Sequence, residues 1–174
     1  MDVARKRPAW GSEKLAFASP QLSTTTEEDR LSESLQEKNK ALLIRGFETL
    51  FNERNFADAE RLWSPGYIQH SGHIPPGRDG LFGLVKAFPG DTKWDHGIIM
   101  AEGDFVMVHS RYSNGDGSAL VVVDIMRIKD GIFMEHWDVT EGSATEAESR
   151  SKLPMFGDSW PQLSFKASKV GSAW

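Results

Sequence analysis

The spacing of apolar residues divides the chain into two stretches with different periods. Leu42, Leu43, Phe47, Leu50 and Phe51 recur at three- and four-residue steps, which places them on one face of an amphipathic helix. Asn55 reads as the N-cap of a short second helix reaching Trp63, with Phe56, Ala59 and Leu62 on one side. Ser64-Pro65-Gly66 stops that helix, Tyr67-Ile68-Gln69-His70 is a short extended piece, and Pro75-Pro76-Gly77 is a turn. A third helix is expected from Asp79 to Phe88, closed by Pro89-Gly90. After it the pattern becomes strand-like, in runs from Trp94 to Ala101, Phe105 to Tyr112, Ala119 to Ile128 and Ile132 to Val139. Gly103-Asp104, Asn114-Gly115-Asp116-Gly117 and Asp130-Gly131 separate the runs, and Asn-Gly or Asp-Gly between β-rich runs marks a hairpin. Three helices followed by a four-stranded antiparallel meander define an α+β domain, with a curved sheet wrapped around a helix.

The ends lack such patterning. Residues 1–34 read as a flexible N-terminal tail, polar and without a sustained period. The domain is expected over 35–140. Residues 141–174 form a polar C-terminal extension with scattered aromatics at Phe156, Trp160 and Phe165. A chain of 174 residues, 39% hydrophobic, suffices for one domain with a core. Its 25 acidic and 20 basic residues give a formal net charge of −5, which argues against nucleic acid as a main partner. Having no cysteine, it offers neither a disulfide framework nor a Cys-based zinc site. No run approaches the ~18–20 apolar residues that cross a bilayer, and no apolar segment follows Arg5-Lys6-Arg7 as in a secretory signal. A cytoplasmic protein without a membrane partner is the expectation.

The candidate chemistry lies in the last two strands. Leu120-Val121-Val122-Val123-Asp124-Ile125-Met126 is apolar on both faces, so Asp124 is expected to be buried, at a cost of several kcal/mol unless it is hydrogen-bonded, paired or neutralised. Two readings stay open: a carboxylate satisfied by a nearby donor, or a cavity-facing acid/base. In Met134-Glu135-His136-Trp137-Asp138, His136 and Asp138 share one face, opposite Glu135 and Trp137. A two-residue turn at Asp130-Gly131 pairs Lys129 with Ile132 and puts Asp124 opposite Trp137, with His136 and Asp138 close by. A one-residue slip preserves that proximity. A histidine between two carboxylates can transfer protons; the alternative is a salt-bridge cluster at a sheet edge.

Other histidines carry less. His109 shares its face with Met107 and Arg111, away from Val106 and Val108, and solvent exposure suits it as well as a pocket role. His70 and His73 form a His-x-x-His, but ligation needs three or four donors of defined geometry and no helical His-Glu-x-x-His is present. No metal site is expected, and His70 is read as an acid/base or hydrogen-bonding group at a pocket rim. Neither a Gly-x-Ser-x-Gly elbow nor a phosphate-binding loop occurs.

Four segments in order, the helix from Asn39 to Phe51, Tyr67-Ile68-Gln69-His70, Val123-Asp124-Ile125-Met126-Arg127-Ile128 and Gly131 to Asp138, resemble the SnoaL-like branch of the NTF2-like superfamily. The resemblance covers roughly residues 38–140 and implies a cone-shaped α+β barrel around an apolar cavity. It further implies polyketide cyclase-like chemistry, an intramolecular aldol condensation that uses an acid/base residue and needs no metal or organic cofactor. Asp138 matches the family's catalytic Asp, Asp124 and His136 match cavity-lining positions, and His70 matches the motif histidine. A homodimer formed through the outer sheet face is also implied. The two extensions depart from the compact family pattern.

The resulting expectation is a lyase or isomerase acting on a small hydrophobic carbonyl compound. Asp138, Asp124, His136 and His70 would be its catalytic groups, and Trp63, Tyr67, Val122, Met126 and Met134 would hold the substrate. The rival is a non-catalytic ligand-binding or dimerisation domain using the same cavity. Epoxide hydrolysis, as in limonene-epoxide hydrolase relatives, needs an Asp-Arg-Asp arrangement, and Arg111 has no Asp two residues along.

Overall fold

The computed structural model describes residues 26–160. Helix α1 spans Glu27–Phe47 and runs directly into a π-helical turn, Glu48–Asn52. It begins well before Leu35, inside the stretch expected as tail. Leu31 and Leu35 are exposed there, so this first part has no buried apolar face, which is why periodicity missed it. The stripe from Leu42 to Phe51 is buried as expected.

Helix α2 is a single turn, Phe56–Ala59, capped by the Asn55 side chain, which accepts the Asp58 N–H. It stops short of Trp63 because Trp63 already belongs to strand β1, Trp63–Gln69, and pairs with Phe133. Ser64-Pro65-Gly66 lies inside β1 where its pairing is irregular, a position that tolerates proline. Helix α3 spans Gly77–Ala87. The Arg54 guanidinium ties down its C-terminal end by donating to the carbonyls of Val85 at 2.6 Å and Pro89 at 2.9 Å.

Four strands follow: β2 Lys93–Glu102, β3 Phe105–Ser113, β4 Ala119–Lys129 and β5 Ile132–Gly142. They form the expected meander, and β1 adds parallel to β5, giving one mixed sheet in the order β1-β5-β4-β3-β2. Asp130 and Gly131 both have positive φ, 52° and 77°, as a two-residue type I′ turn requires. Lys129 pairs with Ile132 as the turn dictates, but the register then shifts: Ile128 pairs with Phe133 and Arg127 with Glu135. Met134 is the extra residue of this bulge. Every pairing beyond it slips by one, so Asp124 faces Asp138 and Trp137 faces Ile125. Asp124 is therefore not opposite Trp137, where a hairpin without the bulge would place it.

The helices seat on one sheet face through an aromatic cluster, with Phe47 against Phe51, Trp63, Trp94 and Phe133. The Asn52 side chain fastens helix to sheet by accepting the Trp94 N–H at 2.8 Å and donating to its carbonyl at 2.9 Å. Among the described residues no helix is long and apolar enough to cross a membrane.

Candidate active site

Alternation along the strands sends one set of side chains into a cavity of about 340 Å³. β4 contributes Val122, Asp124 and Met126; β5 contributes His136, Asp138 and Thr140. Trp63 and Tyr67 enter from β1 and Tyr112 from β3. Phe47 and Phe51 form the helical wall, and Leu81, Leu84 and Phe88 cover the cavity from the α3 side. Asp124, His136 and Asp138 therefore line one pocket, together with four of the five residues expected to hold a substrate.

Asp124 and His136 are each 4% exposed. The Ser110 hydroxyl donates to Asp124 Oδ2 at 2.8 Å, and His136 Nε2 lies 3.1 Å from Asp124 Oδ1. The other ring nitrogen, Nδ1, is 2.8 Å from Gln69 Oε1. Asp124 thus lines the cavity and is also satisfied by neighbours, as a buried carboxylate must be. Asp138 differs: it is half-buried, and its side chain has no hydrogen bond or ion pair among the described residues.

Burial pushes the Tyr67 hydroxyl well above the ordinary tyrosine range; the nearby Trp63 side chain opposes this, and the charges of Asp124 and Asp138 add less to the rise. Tyr112 is pushed up in the same direction, by burial first and by Asp124 next. Both phenols stay protonated, so the cavity combines a free carboxylate with hydroxyl donors in an apolar shell.

Two expected site residues lie elsewhere. His70 follows the end of β1 on the outer side, its ring stacked on Trp137 at 4.8 Å and its Nε2 2.9 Å from Glu135 Oε1. Arg127 holds the other Glu135 oxygen at 2.6 Å. His70 is thus a hydrogen-bond partner of Glu135 on the outer face, where alternation from inward Tyr67 and Gln69 sends it. Met134 does not line the cavity either, since the bulge removes it from the inward alternation. The sequence patterns do not single out Gln69, Ser110 or Tyr112, and they raise His73, which lines the cavity, only as a possible metal ligand. Ser110 and Tyr112 continue the inward period of Val106 and Val108, a signal that was available; Gln69 and His73 depend on how β1 ends.

Helices laid against a mixed sheet, with an acid-lined apolar cavity between, define an NTF2-like α+β protein. Residues 44–136 match the SnoaL-like domain model, and the chain belongs to that family. Solved structures of similar fold include a proposed ketosteroid isomerase from Kribbella flavida DSM 17836, with TM-score 0.53, 18% identity and 79% of this chain against 93% of that one. An NTF2-like protein of unknown function from Mesorhizobium loti gives 0.52 and 22%, covering 62% and 93%. A proposed polyketide cyclase from Bacillus cereus ATCC 10987 gives 0.53 and 15%, covering 60% and 74%. At these identities the likeness is one of fold. No curated protein matches the chain by sequence.

Proposed function

We propose that this domain is an acid/base enzyme for a small, neutral, hydrophobic carbonyl compound, with Asp138 as the base. The observation that carries the reading is Asp138 itself, a carboxylate lining an apolar cavity without a protein partner among the described residues. Such a group is expensive to keep unless it has a task. In the reaction, an Asp138 oxygen takes a proton from the carbon next to the carbonyl. The C–H electron pair becomes the C=C bond of an enolate, and the carbonyl π pair moves onto oxygen. Tyr67 and Tyr112, kept protonated by burial, are the donors available to that oxygen. Reprotonation at a different carbon completes an isomerisation. Attack of the enolate carbon on a second carbonyl of the same molecule completes an aldol ring closure, and the new alkoxide takes up the proton. Neither course requires a metal or organic cofactor.

Arg111 points to the outer face, donating to Asp95 at 2.8 Å and stacking over Phe156, so an Asp-Arg-Asp epoxide-opening arrangement is not supported. The proposal includes a homodimer through the outer face, where Ile98 and Val139 are 67% and 73% exposed; Val139→Glu should then give a monomer by sedimentation. The chemistry is tested by Asp138→Asn. In a panel of cyclic ketones and enones, the native protein should speed exchange of α-hydrogen for deuterium, and the variant should not. Equal exchange by both proteins removes Asp138 as the base.

A further inference from the structure

Gln69 Oε1 receives two contacts, the Ser71 backbone N–H at 3.0 Å and His136 Nδ1 at 2.8 Å. A backbone N–H can only donate, so the atom it meets is the amide oxygen and the orientation of the Gln69 side chain is fixed. That orientation leaves Gln69 Nε2 buried without a partner among the described residues, so it is held against an opposing cost. An amide oxygen in turn can only accept, so His136 carries its proton on Nδ1. The backbone enforces the same geometry: Gln69 and His136 are direct partners across β1 and β5, and the His70 N–H donates to the His136 carbonyl at 2.9 Å.

On the other side of the ring, Nε2 faces Asp124 Oδ1, while Oδ2 is already engaged by the Ser110 hydroxyl. The Nε2–Oδ1 contact at 3.1 Å then holds one further proton, whichever of the two atoms carries it. Counted together, His136 and Asp124 are a neutral unit in which each ring nitrogen and each carboxyl oxygen has a protein partner.

We propose that Gln69, oriented by the Ser71 N–H, is a positioning residue that sets the His136 tautomer and locks His136 with Asp124 as a neutral proton-sharing pair, leaving Asp138 as the cavity carboxylate free to take a proton. The purpose assigned to this lock rests on the acid/base reading above; the lock itself rests on the hydrogen bonds. It matters because Asp124 and Asp138 are direct cross-strand partners, and two bare carboxylates there would repel. It also moves His136 and Asp124 from the proton-shuttling role expected of them to that of support.

The test is the 15N and 1H spectrum of the histidine imidazoles in the full chain, with His136→Asn assigning its signals among the five histidines. The expected result is a protonated Nδ1 in the native protein, without any variant being needed. Gln69→Leu should lose that signature, and Gln69→Glu, whose carboxylate oxygen also accepts from Nδ1–H, should keep it. A native His136 protonated on Nε2 with a bare Nδ1 overturns the proposal, as does an unchanged signature in folded Gln69→Leu. Asp138→Asn should leave the signature intact. Failure of the deuterium-exchange test with the native signature present therefore counts against the enzymatic reading alone.

Discussion

Asp124 and Asp138 face each other as Cα partners across β4 and β5, yet only Asp124 is hydrogen-bonded within the described protein. The two carboxylates should therefore fail differently. Asp138→Asn removes no internal contact, so its unfolding midpoint should match the native one while α-proton exchange falls by about 10²–10⁴, the usual contribution of a positioned base. Asp124→Ala strips both Ser110 and His136 of a buried partner and should cost about 3–5 kcal/mol. Paired denaturation and exchange measurements separate the two. Equal destabilisation by both substitutions contradicts the assignment.

The chain has two tyrosines, and burial raises both. In a native-state alkaline titration followed by phenolate absorbance, neither should ionise near the ordinary value of about 10. Since the folded-state values are raised, the unfolded chain releases these protons first. Their contribution to stability is complete below pH ~10 and is lost as pH rises above it. Phenolate should appear only with unfolding, from both residues together; a single tyrosine titrating normally in the folded protein would contradict the buried placement of one of them.

Glu135 gives the opposite sign. Its hydrogen bond with His70, followed by those with Arg127, holds its carboxyl below the usual range. The folded pKa is depressed, so the stabilisation is present above the unfolded value of about 4.3 and fades as pH falls through the folded one. Glu135→Gln should be less stable than native at neutral pH, and the gap should narrow on acidification below pH ~4. A gap independent of pH argues against the ion pairs as its source.

A β-carbon on Gly46 would overlap the ring of Phe133, which is fully buried and also packed on Trp63. With no room for the ring to move, Gly46→Ala should destabilise by about 1–3 kcal/mol as an overpacked core does. Because α1 carries Phe47 into the cavity wall, the same change should weaken ligand binding. Chemical denaturation of the purified variant checks the first expectation directly.

How far the sequence disclosed this arrangement follows from what sets each feature. Period-two alternation is local, so the four strands and the shared face of His136 and Asp138 were legible. So was the Asn55 cap, which involves residues three apart. The Asp124–Asp138 pairing was not, because a single bulged residue, Met134, shifts the register and nothing in its side chain announces it. His70 was misplaced although local alternation bears on it too: counted from buried Tyr67 through Ile68 and Gln69, it falls on the outer face with Glu135, a residue of β5 more than sixty positions away. Gln69, the residue that orients His136, escaped notice because its importance lies in an equally distant contact.

The cavity wall also sets a charge preference. Among the described residues no lysine or arginine lines it, whereas Asp124 and Asp138 do. An anionic ligand would meet a carboxylate and an apolar surface with no lysine or arginine to offset its lost hydration. A neutral ketone would bury apolar area against Phe47, Leu84 and Met126 and find hydroxyl donors at Tyr67 and Tyr112. Thermal unfolding should therefore shift upward with neutral cyclic ketones and much less with carboxylic acids of the same skeleton. At a concentration one hundred times Kd, the neutral ligand should add about 2.7 kcal/mol. Leu84→Trp, which places bulk in the cavity roof, should remove the shift. Stronger stabilisation by the acid than by the ketone would require a cation in the site and would contradict this arrangement of the wall.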